Sequence, residues 1–289
     1  MSEAGGHAPI PGFITIGHAV RDVVPGGWEL GGTVTFAAVQ AHRLGRSVGI
    51  VTRTAGDLEL AKRLPFARVV DAGSPVSTTF ENVYRAGRRE QRCIDVAAAI
   101  TPDDVPADWR AAPIVLLGPV FGEVPPDLAA AFDAASIVGV SAQGWLRDRD
   151  EAMRVRHVAW RGDPYWAGAD VVFASEEDLD GSGEELERWT RDVPTVVLTF
   201  ASRGTRIYAG GHWRSMPAFP EQEVDATGAG DTFAAAFLIR LHESGDTGEA
   251  ARFGAAAASI SVAGRGVAAM PGRDEVEERM RQHPDIRLR

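Results

Sequence analysis

The run Asp225 to Asp231, DATGAGD, followed at once by TFAAAFLIRL, constrains this chain more than any other stretch. Gly228, Ala229 and Gly230 stand just before an acid, and Phe233, Phe237, Leu238 and Leu241 then recur at a helical interval. The pattern predicts a turn feeding a helix N-terminus. Glycine lets the backbone come close to a ligand, while the first N–H groups of a helix lack intrahelical partners and point outward at the positive dipole end. The amides of Gly228, Ala229 and Gly230 are therefore an expected anion hole with Asp231 beside it. A proton acceptor next to an anion hole suits phosphoryl transfer to a hydroxyl, Asp231 taking the hydroxyl proton. Taken alone, the same segment is equally a Gly-rich loop with a helix cap.

Composition narrows the chemistry. A chain of 289 residues, 45% hydrophobic and 24% charged, can bury a large core as one α/β domain. Its net charge of -10 argues against nucleic acid or an anionic membrane as main partner. Met1 to Gly12 has no basic start and no apolar run of signal length, so a flexible N-terminus and a cytoplasmic location are expected. Cys93 is the single cysteine and reads as a buried small hydrophobe. Lys62 is the only lysine among 30 Lys and Arg residues and lies outside any GxxxxGK[ST] context, which disfavours P-loop, protein-kinase and Schiff-base chemistry. Any phosphate clamp then needs Arg, backbone amides or metal. There is no HExxH and no GxSxG.

Along the chain, Phe13 to Gly17 reads as a buried strand, and Asp22, in the loop expected beyond it, is placed to accept hydrogen bonds from substrate hydroxyls. Gly31 and Gly32 open a helix that ends at Gly45, and Ser47 to Arg53 is a further strand. Thr78 to Tyr84 and Glu90 to Val96 flank the polar turn 85–89 as a hairpin. Strands at Pro113 to Leu117 and Ile137 to Val140 bracket an expected helix from Pro125 to Ala135, the spacing of a β-α-β unit. SAQGWLR brings Gln143, and Arg147 at an expected helix start, toward the ligand edge. After the strand Asp170 to Phe173 come Ser175, Glu176, Glu177 and Asp178; adjacent carboxylates suit a Mg²⁺ that keeps its waters, or simply a helix start. Thr195 to Phe200 reads as the last long strand, followed by a hairpin around Gly210 and Gly211.

DATGAGDTFAAAF resembles the C-terminal signature of the ribokinase-like (PfkB) carbohydrate kinase family, usually DTxGAGD, and departs from it at Ala226. Gly31, Gly32 and Gly45 resemble its N-terminal GG motif, with Phe36 where many members have Asn; Ser175 and Asp178 stand where the family has the Asn and Glu of NxxE. The resemblance implies a three-layer α/β sandwich over residues 13–289, with a mostly parallel central sheet and a small β lid from segments near 22–30 and 77–97. It implies a catalytic group of Asp231, Gly228, Ala229 and Gly230, and an acceptor site around Asp22, Gly31, Gly32, Phe36, Gln143 and Arg147. ATP is expected near Thr199, Ser202, Gly204, Asp225 and Thr227, and Mg²⁺ near Glu177 or Asp178, the substituted motif leaving open which. A monovalent cation and a homodimer through the lid are further family features. GGTVTF, AQGWLR and PAFPEQEVDATGAGD look most like the inositol-kinase-like branch, so the expected reaction is ATP-dependent phosphorylation of a sugar or polyol, with myo-inositol or a similar cyclitol favoured. The alternatives are a nucleoside kinase, with Phe36 stacking the base, and a non-catalytic ligand-binding regulator on the same fold.

Overall fold

The computed structural model describes residues 9–85, 88–159, 167–179 and 183–289; the first eight residues of the expected flexible start and the centre of the 85–89 turn lie outside the described residues. The first half of the chain forms β1 (Phe13–Ile16), β2 (Val20–Val24), β3 (Gly27–Gly31), α1 (Thr33–Arg43), β4 (Val48–Thr52), α2 (Leu60–Arg63), β5 (Ala67–Asp71), β6 (Thr79–Arg85), β7 (Arg88–Asp95) and β8 (Ile114–Leu117). Then come β9 (Ile137–Ser141), β10 (Arg147–Arg149), β11 (Val155–His157), β12 (Val171–Ser175), α3 (Glu176–Leu179), α4 (Gly183–Asp192) and β13 (Thr195–Thr199). β14 (Thr205–Ala209), β15 (His212–Met216), α5 (Ala229–Ser244), α6 (Thr247–Ser261) and α7 (Arg273–Gln282) complete the chain.

Nine strands make the central sheet in the order β15-β14-β13-β12-β9-β8-β1-β4-β5. All pairings from β13 to β5 are parallel, and β14 and β15 add an antiparallel edge. Strands such as VGIVT and IVLL are continuous apolar runs because helices and loops cover both faces. Alternation divides the core: Phe13, Val171 and Val197 face the layer of α1, α5, α6 and α7, while Ile14, Val172 and Val196 face Trp109 and Trp189. On α5, Phe233, Phe237, Leu238 and Ile239 are buried, and each such side chain contributes roughly 1.5–3 kcal/mol. Phe237 meets Phe173 edge-on at 5.4 Å.

A second sheet, ordered β3-β2-β6-β7, brings together the segments near 22–30 and 77–97, from which a lid was expected, through a parallel β2–β6 contact.

Three local expectations change. Only a 3₁₀ turn, Pro126–Ala131, forms where a helix was expected; Pro125 and Pro126 open it, and six residues suffice to bury Leu128 and Ala129. Arg147 starts a strand, β10, antiparallel to β11, and not a helix. Asp22 lies on strand β2 and not in a loop, while the expected hairpin around Gly210 and Gly211 forms as β14 and β15 and extends the sheet beyond β13.

Candidate active site

From β1 the chain builds β4 and β5 on one side, then returns to place β8 on the other. In open α/β sheets a ligand crevice forms where the strand order reverses. Here the two strand ends almost touch, because a Cβ on Gly17 would stand 2.2 Å from the Gly118 carbonyl oxygen. A Cβ on Gly118 would meet the Thr33 methyl at 2.3 Å, so the start of α1 is pressed onto the same point. Gly32 precedes it at φ 88°, and a Cβ there would sit 2.5 Å from the His18 carbonyl oxygen. Only glycine satisfies both the dihedral and the space.

The α5 N-terminus arrives beside Thr33. Gly228 adopts φ 77°, and its missing side chain is replaced by the Phe36 ring, whose nearest atom lies 2.3 Å from where a Cβ would be. The turn before it is held by Asp225, which accepts the Thr227 N–H at 3.0 Å and donates its own N–H to Val262. Ala229 donates to the Ala226 carbonyl at 3.1 Å. This corrects one expectation: of the three amides in the anticipated anion hole, that of Ala229 is already used within the turn. Those of Gly228 and Gly230 carry no hydrogen bond to the described residues.

Asp231 is half-buried in the first turn of α5. Burial pushes its carboxyl up to about 6; the Thr33 hydroxyl bonded to it and the Arg147 charge oppose that rise, and the nearby Asp178 charge adds to it. An unprotonated carboxylate with that affinity can take a proton near neutral pH.

Asp22 lies on β2, its carboxylate directly over the Gly31 Cα: a Cβ on Gly31 would be 1.8 Å from Asp22 Oδ2. These two expected acceptor residues are thus one steric unit. Gln143 is half-buried in the 3₁₀ turn Ala142–Leu146, and Arg147 follows it onto β10. Phe36 is 6% exposed and packed in the core over Gly228, so the stacking face proposed for it is covered.

The acids after β12 separate clearly. Asp178 is buried, and its Oδ2 accepts the Ser175 N–H at 2.8 Å and the Ser175 hydroxyl at 2.7 Å, while the Asp178 N–H donates back to Ser175 Oγ at 3.3 Å. That reciprocal pair is a capping box at the start of α3. Glu177 is exposed, and Glu176 pairs with Arg203. Of the two metal candidates, Asp178 is the one whose charge reaches Asp231. Among the described residues no group of three or more His, Cys, Asp or Glu could hold an ion by protein atoms alone. A largely hydrated Mg²⁺ fits such a donor set, since it needs only one or two carboxylate oxygens.

On the expected donor side, Thr199 ends β13 half-buried, and Ser202 and Thr227 are exposed. Gly204 has φ 105° and lies where a Cβ would meet the Met216 carbonyl oxygen at 2.1 Å, so pairing in the sheet demands glycine there whatever it binds. A shallow concavity of about 510 Å³ opens beside these residues, lined by Phe200, Arg203, Arg206, Ser215 and Arg289 among others.

Residues 148–273 match the family model described as pfkB family carbohydrate kinase. The chain carries a pfkB family domain over those residues. It is 48% identical over 84 residues to a ribokinase of Bacillus subtilis (strain 168), a match covering 29% of this chain and 29% of that enzyme. It is 32% identical over 235 residues to an inositol 3-kinase of Oryza sativa subsp. japonica, covering 74% of this chain and 58% of that one. The chain thus matches less than two thirds of either relative's length. In fold it is similar to a pyrophosphate-dependent kinase of the ribokinase family solved with a pyrophosphate analog and myo-inositol, at TM-score 0.74 and 24% identity over 92% of this chain and 99% of that one.

Thr33 is the site residue that motif reading passed over. Its signal was present, a hydroxyl immediately after the Gly31–Gly32 pair, but its partner lies far away in sequence.

Proposed function

We propose that the chain is a phosphotransferase that moves the γ-phosphoryl group of ATP to a hydroxyl of a sugar or polyol, and that its acceptor is a cyclitol such as myo-inositol. The observation that carries this reading is Asp231: a half-buried carboxylate raised to about 6, bonded by Thr33 and preceded by the Gly228 and Gly230 amides at the α5 N-terminus. In the proposed reaction Asp231 takes the acceptor proton. The Gly228 and Gly230 amides bind an oxygen of the transferring phosphoryl group, and the closed floor at Gly17 and Gly118 keeps the acceptor above them. Asp22 and Arg147 orient the acceptor hydroxyls. Mg²⁺, when bound, would neutralise charge between the donor phosphates, with Asp178 orienting its water shell.

The rice inositol 3-kinase similarity supports the cyclitol acceptor. Arg203, Arg206 and Arg289 around one concavity support a polyphosphate donor beside Thr199, Ser202 and Gly204. The covered ring of Phe36 argues against a nucleoside. The test is product formation from MgATP or Mg-pyrophosphate with cyclitols, sugars and nucleosides, alongside Asp231→Asn. Acceptor-dependent turnover lost in Asp231→Asn is the expected result. Absence of turnover with every acceptor, while ligands still raise Tm, would leave a binding protein instead.

A further inference from the structure

The hairpin of β10 and β11 touches three parts of the site at once. Side chains alternate along a strand, so Arg147 and Arg149 share one face of β10 and Asp148 takes the other. The guanidinium of Arg149 donates from Nη1 to the carbonyl oxygens of Cys93 at 2.8 Å and Ile94 at 3.0 Å, both on lid strand β7. The join is reinforced by the Cys93 N–H donating to Met153 O at 2.9 Å and by Arg92 Nη2 donating to Ala152 O at 3.0 Å.

Arg147 lies near enough to both Cys93 in the lid and Asp231 on α5 for its charge to act on each. Across the hairpin its partner is His157, which contacts the main-chain oxygen of Asp178. The groups facing Asp231 are therefore Arg147 from β10, Asp178 from α3 and Thr33 from α1. His18 holds the root of the lid, just beyond β7. Thr78 Oγ1 lies 2.7 Å from His18 Nδ1 and accepts the Ala97 N–H at 2.9 Å, while His18 Nε2 lies 2.9 Å from Ala98 O.

We propose that Arg149 is a positioning residue, tying β10 to the lid so that Arg147 faces Asp231 and the acceptor only while the lid is in place. The idea rests on the kinase reading of Asp231. An anchor to two consecutive main-chain carbonyls senses the path of β7 and not its side chains. A lid that moves away breaks both bonds together and releases Arg147 from the base.

The test compares acceptor and donor kinetics of Arg149→Met, Arg149→Lys, Arg147→Met and the Arg147→Met/Arg149→Met double variant. Misplacing a positioning group by about an ångström can cost up to about 100-fold, so Arg149→Met should lower kcat/KM for the acceptor about 10- to 100-fold while the donor KM stays within about twofold. Arg149→Lys keeps a charged donor on a shorter side chain without the planar guanidinium, and should recover part of the loss. Because Arg149 acts through Arg147, the double variant should be no worse than Arg147→Met alone. Full activity in a folded Arg149→Met, or losses that multiply in the double variant, would overturn the proposal. Should Arg149→Met not fold, full activity of Arg149→Lys with unchanged acceptor KM would overturn it equally. An unaltered chain that turns over no acceptor removes the kinase reading and this proposal with it, which is distinct from a failure at Arg149 alone.

Discussion

Gly228 and Gly230, two residues apart, should respond oppositely to the same methyl group. A Cβ on Gly230 would meet nothing within 4 Å, and its φ is not positive. Alanine favours a helix over glycine by up to about 1 kcal/mol, less in the first turn, and for a chain of this size 1 kcal/mol moves Tm by about 2–4 °C. Gly230→Ala should therefore leave Tm unchanged or raise it by up to about 2 °C. Yet its methyl would enter the open space beside the Gly228 and Gly230 amides, where the transferring group is proposed to bind. Loss of one such donor costs about 10²–10³ in kcat. Gly228→Ala is the converse: φ 77° and the Phe36 ring at 2.3 Å both oppose a side chain, and a core clash with a strained dihedral costs about 2–5 kcal/mol. Thermal melts read one quantity and a coupled assay of donor turnover the other. A Gly230→Ala protein that is stable and fully active would refute the assignment of these amides to phosphoryl binding.

Asp231→Asn should abolish turnover, and the acid limb of kcat/KM in the unaltered chain should fall near pH 6. Because the folded carboxyl is raised, the native state binds the extra proton between the ordinary carboxylate range and pH 6, so this residue's contribution to stability declines as pH rises through that window. Asp231→Asn should then stabilise the fold by about 3 kcal/mol in melts at pH 8 and by much less at pH 4. Gly31→Ala should destabilise by displacing the Asp22 carboxylate, and that cost should shrink in an Asp22→Ala background; additive losses in denaturant titrations would contradict the steric unit. Asp178→Asn should raise the Mg²⁺ concentration giving half-maximal activity, whereas exposed Glu177→Gln should leave it unchanged, as a metal titration of both variants would reveal.

Much of this arrangement can be read along the chain because it is local. The α5 turn, the Gly31–Gly32 helix start and the lid hairpin each declare themselves within a dozen residues through glycine spacing and apolar period. What stayed hidden depends on distance or on competition. The Thr33 bond to Asp231 joins the starts of α1 and α5, and no spacing rule connects them. ARVVD has too few apolar residues to announce β5, which forms because β4 offers a parallel edge. Asp178 was distinguishable from Glu177 in principle, since Ser175 and Asp178 have the i, i+3 spacing of a capping box, but an equally valid metal reading competed for the same residues.

The contact between Gly17 and Gly118 also bears on how such a site could change its substrate. Where two strand ends and a helix start meet with no room for a side chain, no residue larger than glycine can be tried, so the floor beneath the reacting atoms offers no variation on which selection could act. New acceptor preferences would have to enter from above, through β2, the turn at Gln143 and β10, whose side chains can be exchanged without moving the floor. The chemistry is held constant by steric exclusion, and specificity is left to parts that can be replaced.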